Sequence, residues 1–155
     1  MIDEDDELTP EEELQDLLET LAEALDVNGQ VTVSEDDGVV RGSVEGDGAE
    51  ALVGPDGSVL EAIQHLAQRI VLRGAEGLRV VVDAAGYRDR REDELREEAD
   101  RVADLVVSES RRIALRPMPA AERRFVHEYL RDRGDVETHS EGEEPRRRLV
   151  VSPGD

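Results

Sequence analysis

A helix with two unlike faces is written into Glu122-Arg123-Arg124-Phe125-Val126-His127-Glu128-Tyr129-Leu130, and a fold of this chain has to bury one face while wetting the other. At about 100° per residue, Arg123, His127 and Arg131 fall within roughly 80° of arc. Phe125, Val126 and Tyr129 gather on the far side, with Leu130 at the seam. The spacing predicts that the far side packs and that the cationic side meets an anion.

An anionic ligand sits uneasily with the whole-chain charge of -21, because phosphate binding relies on Lys and Arg displacing counterions. The charge is unevenly placed. Residues 1–56 hold nineteen acids against Arg41 alone, residues 57–91 hold six Arg against four acids, and residues 92–155 hold twelve Arg against seventeen acids. Within residues 111–133, seven Arg face three acids, a local excess suited to a phosphate backbone. Every cation is Arg, which reads first as genome composition bias and second as adaptation to a high-salt cytoplasm.

With 155 residues and 37% apolar content, two compact modules fit better than one enzyme-sized interior. The absence of Cys excludes a disulfide framework or a thiolate metal site. No apolar run approaches a membrane span or the core of a signal peptide, so a soluble, cytoplasmic protein is expected.

Residues 1–9 are expected to be an acidic mobile tail. Thr9-Pro10-Glu11-Glu12 then combines an N-cap, a proline at the first helical position and a capping-box Glu, predicting a helix over about 10–25 with Leu14, Leu17, Leu18, Leu21 and Leu25 as its apolar stripe. Val31 and Val33, then Val40, Gly42 and Val44, flank Glu35-Asp36-Asp37-Gly38 and predict a hairpin with an Asp-Gly corner. A short helical turn near 49–53 runs into Gly54-Pro55-Asp56-Gly57. Val59, Ile63, Leu66, Ala67, Ile70 and Val71 place a helix over 58–73, and Arg79-Val80-Val81-Val82-Asp83 is a strand. Residues 84–91 read as a junction. A long helix to about Ile113 follows, with Leu95, Ala99, Val102, Leu105 and Val106 inward and Glu92/Arg96 and Glu97/Arg101 as outer pairs. Pro117 and Pro119 end it, and strands at 136–139 and 147–151 complete a second α+β unit.

The Arg-xxx-His pair, followed by Ser140-Glu141-Gly142-Glu143-Glu144-Pro145 and Arg148-Leu149-Val150-Val151-Ser152-Pro153, resembles the small nucleic-acid-binding module called the R-three-H (Arg-xxx-His) domain, over about the last third of the chain. The order helix, strand, strand, short helix, Gly-x-x-Gly, helix, strand resembles a type II KH domain, over about half of it. The pair of modules resembles the bacterial Jag family, also called KhpB or EloR, RNA-binding proteins linked to cell elongation and division. The resemblance implies an α+β chain with a KH-like domain at 10–86 and an R-three-H domain with a long leading helix at 87–155. It also implies a short form without the extra N-terminal domain of longer members, and a KhpA-like single-KH protein as a partner.

The expected ligand is single-stranded or structured RNA, with single-stranded DNA as an alternative. Arg123 would hold a phosphate bidentately, His127 would donate one hydrogen bond or stack on a base, and Arg124 and Arg131 would extend the track. In the first module the resemblance implies contacts from Gly54, Pro55, Asp56, Gly57 and Ser58. Pro55 has no N–H to offer, and the Asp56 carboxylate would repel a phosphodiester by roughly a kcal/mol. With only Phe125, Tyr87 and Tyr129 as aromatic residues, base stacking does not dominate. The alternative reading makes the acidic KH-like half an adaptor that docks a basic partner protein.

Other classes find little footing. Gly46-Asp47-Gly48-Ala49-Glu50-Ala51 reads as turn glycines, since Asp47 and Glu50 would face the pyrophosphate of a dinucleotide. His65, His127 and His139 lie on different elements and make no metal site, and no Ser sits in a nucleophile elbow. Neither a cofactor nor enzymatic turnover is expected.

Overall fold

The computed structural model describes residues 7–73 and 75–155, so residues 1–6 of the expected acidic tail lie outside the described residues. Two compact units divide the chain between Arg88 and Asp89, two residues beyond the boundary expected from sequence.

In the first unit, α1 (Pro10–Ala24) opens on the capping box: the Thr9 hydroxyl accepts from the Glu12 N–H at 3.2 Å, and the Glu12 carboxylate accepts from the Thr9 N–H at 2.8 Å. These two contacts satisfy donors that a helix start otherwise leaves bare. β1 (Asn28–Asp36) and β2 (Val39–Asp47) pair antiparallel to Asp36↔Val39, leaving Asp37-Gly38 as a two-residue turn with φ of 52° and 74°. Two positive φ values are what a type I′ hairpin turn requires, and Asp-Gly supplies them. β2 also pairs parallel with β3 (Arg79–Ala84), giving the order β1-β2-β3. The crossover runs through short 3-10 turns at Ala49–Leu52 and Pro55–Gly57 and through α2 (Ser58–Val71). This topology is consistent with the type II KH arrangement.

Leu14 and Leu18 of α1, Val40 and Val44 of β2, Leu60 and Ala67 of α2, and Val80 and Val82 of β3 share one aliphatic core. Each buried Leu or Val contributes about 1.5–3 kcal/mol. Gly42 makes the docking of α1 possible, because a Cβ there would stand 2.6 Å from Leu18 Cδ1 and 2.9 Å from Leu14 Cδ2. Leu25, Leu66 and Leu105, all assigned to apolar stripes by periodicity, are exposed instead. Leu66 and Leu105 lie at the borders of their stripes, where spacing alone does not say how far the opposing surface reaches, and Leu25 is the C-cap beyond the last residue of α1.

The second unit is built on α3 (Tyr87–Glu109), which begins inside the expected junction and ends four residues before the expected terminus. β4 (Ile113–Ala114), β5 (Val136–Glu141) and β6 (Arg148–Pro153) form an antiparallel sheet in the order β4-β6-β5. β4 was hidden in the expected helix end. α4 (Ala120–Arg131) packs on β5 and β6. Leu95, Ala99, Ala103 and Val106 of α3 meet Leu115, Met118, Val126, Leu130, Val136, Leu149 and Val151 in a second core. On the outside, Arg96 bridges Asp93 at 3.0 Å and Glu92 at 3.5 Å and lies 5.0 Å from the Phe125 ring centroid.

Candidate nucleic-acid interface

α4 is rotated relative to the reading from spacing. Its buried residues are Arg123, Val126 and Leu130, while Tyr129 is exposed and Phe125 half-buried. Leu130, placed at the seam, sits in the core, and Arg123, placed on the open face, lies beside it. The Arg123 side chain is only 7% exposed. Its Nε donates to the Met118 carbonyl at 3.2 Å and its Nη2 donates to the Glu144 carboxylate. A guanidinium goes under cover only when its donors find acceptors, and these two acceptors come from residues 5 before and 21 after it. Arg123 thus differs from the freely exposed phosphate fork expected of it.

His127, Arg124 and Arg131 remain on the open side of the helix. The Arg124 side chain is 80% exposed and bridges Glu128 at 3.0 Å, an i,i+4 pair. The Glu128 carboxyl is held below the usual carboxylate range, first by the hydrogen bond from Arg124, then by that arginine's charge, with Arg131 and His127 adding to it. His127 Nδ1 is hydrogen-bonded to the Thr138 hydroxyl on β5. An open groove of about 320 Å³ runs between α4 and the sheet, lined by Ala120, Arg123, Arg124, His127, Thr138, His139, Ser140 and Leu149. No side chain caps the N-terminus of α4 beside Ala120. The groove therefore combines cationic side chains, hydroxyls and a helix start whose dipole favours negative charge.

Of the expected second-module residues, Arg123, Arg124 and His127 line this groove, and Arg131 lies on the helix beyond it. Thr138, His139 and Ser140 were missed. Strand alternation carried a signal for two of them: Thr138 and Ser140 share a face with the buried Val136 and so point where α4 packs. The arginine surplus of 111–133 is also smaller in space than along the chain. Arg111, Arg112, Arg123, Arg124 and Arg133 each pair with a carboxylate, and for four of them that partner lies outside the segment, at Glu109, Glu141, Glu144, Asp104 and Asp135.

The Gly54–Ser58 loop of the first unit turns its donors inward. The Gly57 N–H donates to the Gly54 carbonyl at 3.3 Å, the Ser58 N–H to the Pro55 carbonyl, and the Val59 and Leu60 N–H groups to the Val53 carbonyl at 3.0 and 3.1 Å. Pro55 has none to give. A loop that cradles a phosphate does so with free N–H groups, and here those of Gly57 and Ser58 are engaged within the loop. Gly57 is buried against Tyr87: a Cβ there would lie 2.6 Å from the phenol oxygen. Asp56, exposed at φ 53°, adds a carboxylate at the tip.

The family model for the R-three-H domain matches residues 93–153, which contain α4, the groove and both long strands of the second sheet. The chain is 36% identical over 138 residues to RNA-binding protein KhpB of Bacillus subtilis (strain 168), covering 87% of this chain and 66% of the relative. It is 31% identical over 140 residues to RNA-binding protein KhpB of Clostridium symbiosum, covering 90% of this chain and 62% of the relative. With RNA-binding protein KhpB of Lactiplantibacillus plantarum it shares 37% identity over 102 residues, 65% of this chain and 32% of the relative. The chain thus spans just under two thirds of the first two relatives. Among the described residues, no helix is long and apolar enough to cross a membrane. A second unit carrying the R-three-H match, joined to a KH-like first unit and aligned with these relatives across most of its length, makes this chain a member of the KhpB, or Jag, family.

Proposed function

We propose that this chain is an RNA-binding regulatory protein that takes a phosphate of single-stranded RNA into the groove between α4 and β5. The observation that carries the reading is the convergence of His127, Arg124, Thr138 and Ser140 on one groove within the segment that matches the R-three-H domain. His127, tethered through Nδ1 to Thr138, is set to donate from Nε2 to a phosphate oxygen. Arg124 and Arg131 supply charge along the exposed flank, and the uncapped start of α4 adds its dipole. Arg123 serves as a positioning residue that ties α4 to the Met118 carbonyl and to Glu144. The Thr138 hydroxyl meets the His127 imidazole, but among the described residues no third group orients that ring as a base, so the reading is binding and not turnover.

The first unit contributes less to RNA on this reading, since the Gly57 and Ser58 N–H groups of its Gly-x-x-Gly loop are engaged, Pro55 has none and Asp56 adds a carboxylate. A KhpA-like single-KH protein as partner, a cytoplasmic location and a link to cell elongation follow from the family resemblance and belong to the proposal. Anisotropy titration of a labelled single-stranded RNA, beside DNA of the same sequence, tests it. The double variant Arg124→Ala/His127→Ala should lose about tenfold or more in affinity, the size of two charge-assisted hydrogen bonds. An unchanged affinity in a variant that melts like the parent would sink the groove assignment.

A further inference from the structure

The two edges of the first sheet are treated differently. On the β3 edge, the Gln64 side chain donates to the Val80 carbonyl at 2.6 Å and accepts from the Val82 N–H at 2.8 Å. Arg88 adds a hydrogen bond from Nε to the Val82 carbonyl at 2.7 Å and reaches Gln64 through Nη2 at 3.2 Å. Side chains thus occupy backbone groups that another strand would need. The opposite edge is β1, nine residues long and paired on its inner side with β2 throughout. It contains no Pro and no Lys, two common devices that blunt such an edge.

Beside β1 lie two hollows that meet at Glu19. One, of about 400 Å³, has Ala22, Val27 and Val31 in its lining; the other, of about 470 Å³, has Val33. Carboxylates rim both: Glu19, Glu23 and Asp26 around the first, Glu11, Asp16 and Glu19 around the second. Among the described residues, no arginine lines either hollow. Like charges gathered along one groove repel each other, and a cation laid among them relieves that repulsion.

We propose that the β1 edge and its flanking groove form a docking site for a basic, extended segment of a partner protein, one whose apolar and cationic side chains share the strand face turned toward α1. Added beside β1, such a strand takes up the outward N–H and C=O groups of residues 28–36. On the face it turns toward α1, its apolar side chains fill the hollows at Val27, Val31 and Val33 and its cations meet the carboxylate rim. Charge selects against the rival occupants. A second copy of this chain brings its own acidic rim to the contact, and RNA brings phosphates. The site is separate from the groove between α4 and β5 and does not depend on the RNA reading.

The test uses the full chain and a twelve-residue peptide of three Val-Thr-Lys-Thr repeats, whose Val and Lys share one strand face, with the Val-Thr-Glu-Thr counterpart as control. Calorimetry should show the Lys peptide binding, more weakly as salt rises, and the Glu peptide not binding. Amide hydrogen exchange should show new protection confined to residues 28–36. Glu19→Lys/Glu23→Lys, both at exposed positions of α1, should weaken binding by about tenfold or more. Absence of binding, binding without protection of β1, or an unaltered affinity in the charge-reversed chain overturns the proposal. So does protection of β1 that grows with protein concentration and without peptide, which would make a second copy the occupant.

Discussion

Arg123, from within the buried side of α4, donates to Glu144 in the loop between β5 and β6, twenty-one residues further on. The contact joins the helix that carries His127 to the strand pair that forms the other wall of the groove. It makes Arg123 a structural element of the site, while Glu144 stays 59% exposed at its outer end.

Unequal consequences for the two partners follow. Arg123→Ala strips the Met118 carbonyl of its donor and empties a buried volume, so it should destabilise the chain by about 1–3 kcal/mol in urea unfolding. Glu144→Gln keeps an acceptor on a mostly exposed side chain and should cost less than about 1 kcal/mol. Equal losses would mean that Arg123 owes its place to the ion pair and not to burial.

Thr138 should matter to ligand binding through His127. Thr138→Val keeps the shape and removes the hydroxyl, freeing the imidazole to rotate; RNA affinity should fall about fivefold, the worth of one hydrogen bond of about 1 kcal/mol. Thr138→Ser should restore it. Nitrogen shifts of His127 report the same event without ligand, since loss of the Nδ1 contact changes the tautomer balance. Unchanged shifts in the valine variant contradict the tether.

Gly57 and Tyr87 should be coupled. Gly57→Ala forces a side chain onto a backbone at φ 76° and against the phenol ring, costing about 1–2 kcal/mol for the left-handed conformation and more for the overlap. In a Tyr87→Ala background the same substitution should cost only the backbone part. A double-mutant cycle with no coupling would show that the ring is not what closes the loop.

Glu128 offers a titration test of the field on the exposed face of α4. Its carboxyl is depressed first by the Arg124 hydrogen bond, so the stability from that contact is present above the ordinary carboxylate pKa and is lost as pH falls through the lowered folded value. Arg124→Ala should raise the Glu128 midpoint toward the ordinary range, as followed by carboxyl-carbon NMR. A midpoint that stays low would transfer the effect to Arg131 or His127.

Much of this protein was legible one segment at a time. The Thr9–Glu12 capping box, the Asp37-Gly38 turn and the apolar spacing of 58–71 act over a few residues, so local rules sufficed to place α1, the β1/β2 hairpin and α2. The same holds for the presence of α4 and of the strands after it. What local rules left open was which way α4 faces. Arg123 and Leu130 lie on adjacent arcs, and only β5, β6, the Met118 carbonyl and Glu144, all brought in by the tertiary fold, turn that arc inward and give a buried guanidinium its acceptors. The Gly54–Ser58 loop was likewise recognisable as a motif, yet the donors beside it are claimed by Val53 and its last glycine is covered by Tyr87, thirty residues on. Sequence periodicity determined which elements form; packing decided which polar groups those elements leave free to meet a ligand, because a buried donor or charge is stable only beside the acceptor that the rest of the chain supplies.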